Sequence, residues 1–242
     1  MKVVPIVSGG LDSVTLLYYL LDSHVTVDHM VSFNYGQRHK KELEFAKLHA
    51  ESLSINHHII DLYHSGLYGV LCGSGSSLVD ETVDVPEGHY AADNMKATVV
   101  PNRNMMMLAI AGSVAVATDA NAVVTGVHAG DHFIYPDCRP EFIEAMDIAM
   151  VHGNEGFGSG KTHILAPFVH WTKNDIAKRA FELNVPIEKT WSCYKGGAIH
   201  CGKCGTCVER LEALTDASHE LGTSDPTEYE DTEYWMEVLH GE

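Results

Sequence analysis

The chain has 242 residues, 45% of them hydrophobic and 20% charged, with a formal net charge of −17. Those values suit one large globular domain, or one domain with a small appendage, and exclude a disulfide-stapled miniprotein and wholesale disorder. From Asp216 onward there are nine acids and no Lys or Arg, so the clustered cations of a duplex-binding surface are missing; small molecules, and no direct nucleic-acid contact, are expected.

Residues 3–7 read as a short buried strand, followed by the turn Ser8-Gly9-Gly10 and an apolar run of helical length at 14–21. Pro5 sits awkwardly in that strand, because it cannot donate a ladder hydrogen bond. A second strand is expected at 25–33, an amphipathic helix at 40–52 and a third strand at 57–62. This βαβαβ period predicts an α/β fold, a mostly parallel sheet with helices on both faces. Residues 64–98 lack periodicity and read as an irregular excursion closing over a site.

A buried helix is expected at 101–117, a strand at 122–127 and a helix at 141–151. A glycine-rich loop at 153–160 then leads to a short strand at 163–165. Thr172 and Asp175 have the spacing of a capping box opening a helix that reaches Leu183, where Asn184 and Pro186 stop it. The acidic end, 222–242, either docks through Tyr229, Tyr234, Trp235 and Leu239 or frays. The longest apolar stretch, 105–117, is interrupted by Gly112 and Ser113 and falls short of the roughly 20 residues of a bilayer span. The first residues carry one positive charge and no apolar signal core, which predicts a cytoplasmic location.

Ser8-Gly9-Gly10-Leu11-Asp12-Ser13 lies between a strand and a helix, where backbone N–H groups and the positive helix end converge on an anion. Glycine admits close approach, the two serines offer hydroxyls, and Asp12, repelled by a naked phosphate, points to a magnesium ion or an orienting hydrogen bond. The bland alternative is a strand-to-helix turn with Asp12 or Ser13 as its cap. Gly156 to Thr162 imitates a Walker A loop, but Glu155 stands where that motif needs glycine and a helix precedes it. It reads as a mobile loop from which Lys161 reaches a ligand.

Cys193, Cys201, Cys204 and Cys207 form C-x7-C-x2-C-x2-C. Four thiolates suit a closed tetrahedral zinc site that contributes folding energy and not catalysis. The rivals are a redox CxxC pair, which leaves two cysteines unexplained, and an iron–sulfur cluster. Cys72 and Cys138 are treated as core or loop thiols, Cys138 with the better functional neighbours. Two polar loops follow predicted strands: Asn34 to His39, and Asp131 to Arg139. Open α/β sheets bind ligands at such carboxyl ends, and Tyr35, Gln37, Tyr135 and Asp137 offer stacking and paired hydrogen bonds to a planar base. Asn102-Arg103-Asn104, opening an apolar helix, is placed for an anion or a ribose.

Taken together, SGGLDS at 8–13, YGQRH at 35–39, VPNRN at 100–104, GDHFIYPDCRPEF at 130–142, WSCY at 191–194 and CGKCGTC at 201–207 resemble the 7-cyano-7-deazaguanine synthase family of the PP-loop ATP-pyrophosphatases. The departures are Phe133 and Ile134, where the family often has Ser-Gly, and Asn102, where a small residue is common. The resemblance covers most of the chain, the tail after about 222 excepted.

It implies an adenine nucleotide α-hydrolase-like PP-loop domain over 1–185, a zinc-binding helical region over 186–221 and an acidic tail over 222–242. It also implies ATP-dependent conversion of 7-carboxy-7-deazaguanine and ammonia to the nitrile through an adenylate and an amide, with structural Zn²⁺, Mg²⁺ accompanying ATP, and a homodimer. ATP is then expected on Val7, Ser8, Gly9, Gly10, Leu11, Asp12, Ser13 and Arg103, with Asp12, Arg103 and Lys161 catalytic. Tyr35, Gln37, Arg38, Asp131, Tyr135, Asp137 and Arg139 are expected on the deazaguanine. Two alternatives remain open: a PP-loop ligase that stops at the amide or takes another carboxylate or nucleobase, and a zinc-knuckle binding module without catalysis.

Overall fold

The computed structural model describes residues 1–158 and 160–240; the expectations for Ser159 and for the Leu239 side chain lie outside the described residues and side chains. Among the described residues five parallel strands form: β1 (Val3–Pro5), β2 (His29–Asn34), β3 (Asn56–Asp61), β4 (Ala122–Val124) and β5 (His163–Leu165). β2 pairs with β3, and β4 lies between β1 and β5. Isolated bridges join β1 to the β2 side, Lys2 to Thr26 and Ile6 to Val31, so the strand order is 3-2-1-4-5. Pro5 accounts for the interrupted seam. Val3 and Val7 donate to the carbonyls of Thr26 and Val31 at 2.9 and 2.8 Å, and Pro5, between them, has no N–H to give. A central strand thus tolerates the proline by missing one rung, and residues 25–28, expected as strand, lie outside β2, held by the Thr26 contacts and by the Asp28 carbonyl, which accepts from the Asn56 N–H at 3.0 Å.

The helices are α1 (Leu11–Asp22), α2 (Glu42–Leu53), α3 (Leu67–Cys72), α4 (Arg103–Ala117), α5 (Pro140–Gly153), α6 (Lys173–Glu182), α7 (Gly205–Leu221) and α8 (Tyr234–His240). Strand side chains alternate between faces, and this divides the core in two. Val3, Val7, Ala122 and Val124 pack with Leu16, Leu17, Ala46, Ile176 and Leu214 of α1, α2, α6 and α7. Val4, Val123 and Ile164 pack on the opposite face with Leu108, Ala111 and Ile143 of α4 and α5. The capping box at α6 is present: Thr172 Oγ1 accepts from the Asp175 N–H at 3.1 Å, and the Asp175 carboxylate accepts from the Thr172 N–H at 2.8 Å. Asn184, with φ of 52°, ends the segment in the left-handed turn that asparagine tolerates.

The excursion at 64–98 is tied down by α3, by a 3-10 turn at Asp93–Thr98 and by buried Leu78, Tyr90 and Met95. The acidic end docks onto the cysteine-rich region. Tyr229 bridges to His200, and Arg210, fully buried, donates to Thr227 Oγ1 at 2.9 Å and to the Ile187 carbonyl at 2.9 Å. Gly202, at φ +74°, lies so close to the Asp231 carbonyl that a Cβ would approach it to 1.8 Å. Among the described residues no helix is long and apolar enough to cross a membrane.

Candidate active site and metal centre

A cavity opens at the carboxyl ends of β1, β2 and β4, beside the switch between β1 and β4 where the direction of strand addition reverses, the crevice that open parallel sheets offer to ligands. Its floor is the turn after β1. Gly9 must be glycine there: at φ +98°, a Cβ would lie 2.0 Å from the Glu42 carbonyl oxygen, at the start of α2. The Ser8 and Gly9 N–H groups converge on Ser13 Oγ at 3.1 and 3.3 Å, and the Gly10 N–H donates to Ser8 Oγ at 3.2 Å. A turn of N–H and hydroxyl groups at the N-terminus of α1 is an arrangement that can receive an anion.

Asp12, in the first turn of α1, accepts from Lys173 Nζ at 2.7 Å, and Lys173 also reaches Glu209 at 3.1 Å. His128 Nε2 lies 3.8 Å from the same Asp12 oxygen. Burial works to raise the Asp12 carboxyl, but Lys173 and His128 outweigh it and hold the group below its ordinary range. Burial works to strip the Lys173 ammonium of its proton, and Asp12 and Glu209 keep it charged. Burial also pushes Glu209 up, with Lys173 and His128 opposing. Asp12 Oδ1 is buried with no hydrogen-bond partner. An anionic oxygen left open beside a phosphate cradle suits a hard divalent cation, so the residues present fit magnesium.

The opposite wall is aromatic. Arg103, opening α4, places its guanidinium 6.0 Å from the ring centroids of both Tyr35 and Tyr135. Tyr90 donates its hydroxyl to Asp131 Oδ1 at 3.1 Å, and its ring centroid lies 6.3 Å from that of Tyr135. Burial pushes the Tyr35 phenol up to about 12 against the pull of Arg103, so it stays a neutral donor. Cys138 lines the cavity, but burial pushes its thiol up, which argues against a nucleophilic thiolate. Asn102 precedes α4 in the left-handed region, at φ 61°, a conformation asparagine adopts more readily than most residues.

The four cysteines of the knot are buried, and their sulfurs lie within 4.8 Å of one another. Cys201 and Cys207 are 3.9 Å apart, matching the roughly 3.8 Å edge of a tetrahedron with metal–sulfur bonds of about 2.3 Å. Cys201 Sγ accepts from the N–H groups of Lys203 and Cys204 at 3.4 and 3.3 Å, contacts that steady a thiolate. The knot also touches the cradle. Trp191 donates its backbone N–H to the Gly9 carbonyl at 2.9 Å and its indole N–H to the Cys193 carbonyl at 2.9 Å.

Val7, Ser8, Gly10, Asp12, Ser13, Tyr35, Arg103, Asp131 and Tyr135 line the cavity; Gly9 and Leu11 shape the turn behind it. Other predicted residues stand off its wall. Gln37 is buried, its side chain accepting from the Tyr35 N–H and donating to the Phe33 carbonyl, both at 2.9 Å. Arg38 braces the excursion through the carbonyls of Asp80 and Val83, at 3.0 Å each. Asp137 accepts from the Asn104 N–H at 3.1 Å. Arg139 is exposed, donating to the His132 carbonyl at 2.9 Å, and Lys161 is exposed on its loop; neither is among the lining residues. Lys173, Glu209, His128, Glu42, His39, Tyr90 and Tyr194 also line the cavity, and the sequence reading missed them in this role. Lys173 did leave a signal: a lysine in the first turn of a capped helix opposes the helix dipole, and a carboxylate partner nearby is the natural explanation.

The fold and the cradle at its switch point define a class, the PP-loop α/β proteins, here with a four-cysteine metal site. The family profile described as "Queuosine biosynthesis protein QueC" matches residues 2–218. A 7-cyano-7-deazaguanine synthase of Allorhizobium ampelinum is 52% identical over 241 residues, covering 100% of this chain and 97% of that protein. One from Brucella ovis is 52% identical over 235 residues, covering 97% and 96%. Among solved structures, an NMN synthetase from Francisella tularensis aligns with a TM-score of 0.49 at 14% identity, covering 92% of this chain and 78% of that one. The chain belongs to the QueC family; it is an enzyme whose activity is 7-cyano-7-deazaguanine synthesis, in queuosine biosynthesis. Membership implies ATP and 7-carboxy-7-deazaguanine as its substrates.

Proposed function

We propose that the nitrile is made in two ATP-consuming rounds, both in the cavity above the cradle. In the first, the substrate carboxylate attacks the α-phosphorus of ATP, forming an acyl-adenylate and expelling pyrophosphate. Ammonia then displaces AMP to give the amide. In the second, the amide oxygen is adenylated in turn, and its loss with AMP leaves the nitrile. A carboxylate or amide oxygen is a poor leaving group, and adenylation makes it a good one without a side-chain nucleophile.

Catalysis then rests on position and charge. Ser8, Gly9, Gly10 and Ser13 grip the departing pyrophosphate, and Lys173 and Arg103 face the developing negative charge from opposite walls. Tyr35, Tyr135 and Asp131 hold the deazaguanine, with Gln37, Arg38 and Asp137 fixing the loops that carry them. Asp12 Oδ1 would hold a magnesium ion, which when bound would neutralise phosphate charge. The knot would hold zinc on Cys193, Cys201, Cys204 and Cys207, stiffening the segment that meets the cradle through Trp191.

The observation that carries this reading is the meeting, in one cavity, of the glycine cradle, the Asp12–Lys173 pair and the Arg103–tyrosine wall. Zinc-replete protein incubated with ATP, ammonium and 7-carboxy-7-deazaguanine should give the nitrile by mass spectrometry, with two AMP and two pyrophosphate per nitrile. Absence of all three products refutes the reading, and amide that accumulates without nitrile favours a ligase that stops after one round.

A further inference from the structure

Two rounds of this chemistry remove three protons from nitrogen: one as ammonia becomes an amide, two as the amide becomes a nitrile. We propose that Glu42 is the proton acceptor for that nitrogen in both rounds, with His39 beside it as a positioning residue. The inference rests on the two-round reading and deepens it.

Both side chains line the cavity and are buried, 8% and 5% exposed. Glu42 opens α2, whose first carbonyl abuts Gly9 of the cradle, and its carboxyl is acted on by the Ser8 side chain of the same turn. Glu42 Oε1 accepts from Gln37 Nε2 at 2.9 Å, and His39 Nε2 lies 3.5 Å from the same oxygen. The His39 ring rests on Tyr194, centroids 5.1 Å apart. Its Nδ1 is buried with no hydrogen-bond partner, an arrangement that is costly unless a ligand fills it. An ammonia or amide N–H is the donor that this nitrogen and the neighbouring carboxylate would receive together.

The other acids of the cavity are engaged. Asp12 and Glu209 hold Lys173, and Asp131 accepts from Tyr90 and from the His128 N–H. The groups acting on Glu42 are Gln37, Arg103 and Ser8, with His39 beside it and the Tyr35 phenol facing it, and those acting on His39 are Arg103 and Arg38. Burial pushes the Glu42 carboxyl up to about 7 against its three neighbours, so near neutral pH it can both take a proton and release it. Burial and then the two arginines hold the His39 ring neutral, down to about 3, so it orients without competing for the proton.

The steps balance. In the first round the ammonia lone pair forms the C–N bond, the C–O bond breaks with its electron pair leaving on AMP, and Glu42 takes one proton. In the second, the C–O pair again leaves with AMP while the N–H pairs become the new C–N π bonds. Glu42 takes the first of those protons, passes it to water and takes the second.

Supplying the amide in place of the acid removes ammonia and its own ionisation from the assay. With the full-length, zinc-loaded enzyme, single-turnover nitrile formation from the amide is expected to fall about tenfold per pH unit below about 7. ATP–pyrophosphate exchange supported by the carboxylic acid, which moves no proton from nitrogen, should change less than about threefold over that range. Glu42→Gln should lower nitrile formation at least about 100-fold and remove the acid limb while exchange stays within about threefold, and Glu42→Asp should restore part of the rate and the limb. His39→Gln should displace the limb, a readout that a purely structural role leaves in place. Exchange lost in proportion to nitrile formation, or an unchanged limb in Glu42→Gln, overturns the assignment. If Glu42→Gln does not fold, a flat profile below pH 7 in the unmodified enzyme overturns it instead. An unmodified enzyme without acid-dependent exchange fails the two-round reading itself.

Discussion

Glu42→Gln should stabilise the protein above neutral pH while disabling it. The buried carboxyl titrates at about 7 in the fold, against an ordinary value of 4.5, so the fold favours its protonated form. Its contribution to stability is fully present below about pH 4.5, declines as pH rises, and is lost once pH passes about 7, where the fold holds a carboxylate that burial disfavours. At about 1.4 kcal/mol per pKa unit, that difference is worth roughly 3 kcal/mol. Glutamine keeps the shape and the acceptor that Gln37 needs, and removes the charge. Urea unfolding at fixed zinc should therefore show the variant more stable than the unmodified protein by up to roughly 3 kcal/mol at pH 8, with the two within about 1 kcal/mol at pH 5. A variant that is less stable at pH 8, or whose difference does not change with pH, refutes the reasoning. The same substitution separates two explanations of a buried acid, because a purely structural carboxylate would not be more stable as its amide.

Cys204→Ser should lower bound metal and soluble yield together, because the knot contributes folding energy; Asp12→Asn should keep one metal per chain by elemental analysis and lose at least about 100-fold in nitrile formation. Gly9→Ala would force a Cβ to 2.0 Å from the Glu42 carbonyl at φ +98°, so a fall in melting temperature and loss of pyrophosphate exchange should come together; the backbone strain alone is worth about 1–3 kcal/mol. Arg210→Met removes the buried guanidinium that donates to the Ile187 carbonyl and to the hydroxyls of Thr190, Ser192 and Thr227, and limited proteolysis should then cut first in the segment after Gly222.

What the sequence disclosed and what it withheld divide along chain separation. The cradle and the knot are contiguous motifs whose chemistry is written in neighbouring residues, and a glycine turn between strand and helix or four closely spaced cysteines have few other uses. The capping box at Thr172 was legible for the same reason. Lys173 and Asp12, by contrast, are 161 residues apart, and their meeting depends on α6 packing against α1, which no local pattern encodes. Lys161 and Arg139 show the converse case. Their motif neighbourhood made them attractive cations, yet both are exposed and neither lines the cavity, while Lys173, the first residue of α6, does line it.

Glu42 and His39 fall between these cases, because their short sequence separation concealed a cavity position. A glutamate at the start of an amphipathic helix is ordinarily a solvated first-turn acid, favoured by the helix dipole. Here it is buried, because Gly9 lets the cradle settle directly on the α2 backbone and Gln37 folds over the carboxyl. The feature that gives this acid its unusual ionisation is thus the same close approach that shapes the glycine turn. Widening that approach at Gly9 should disturb the anion cradle and the ionisation of Glu42 together.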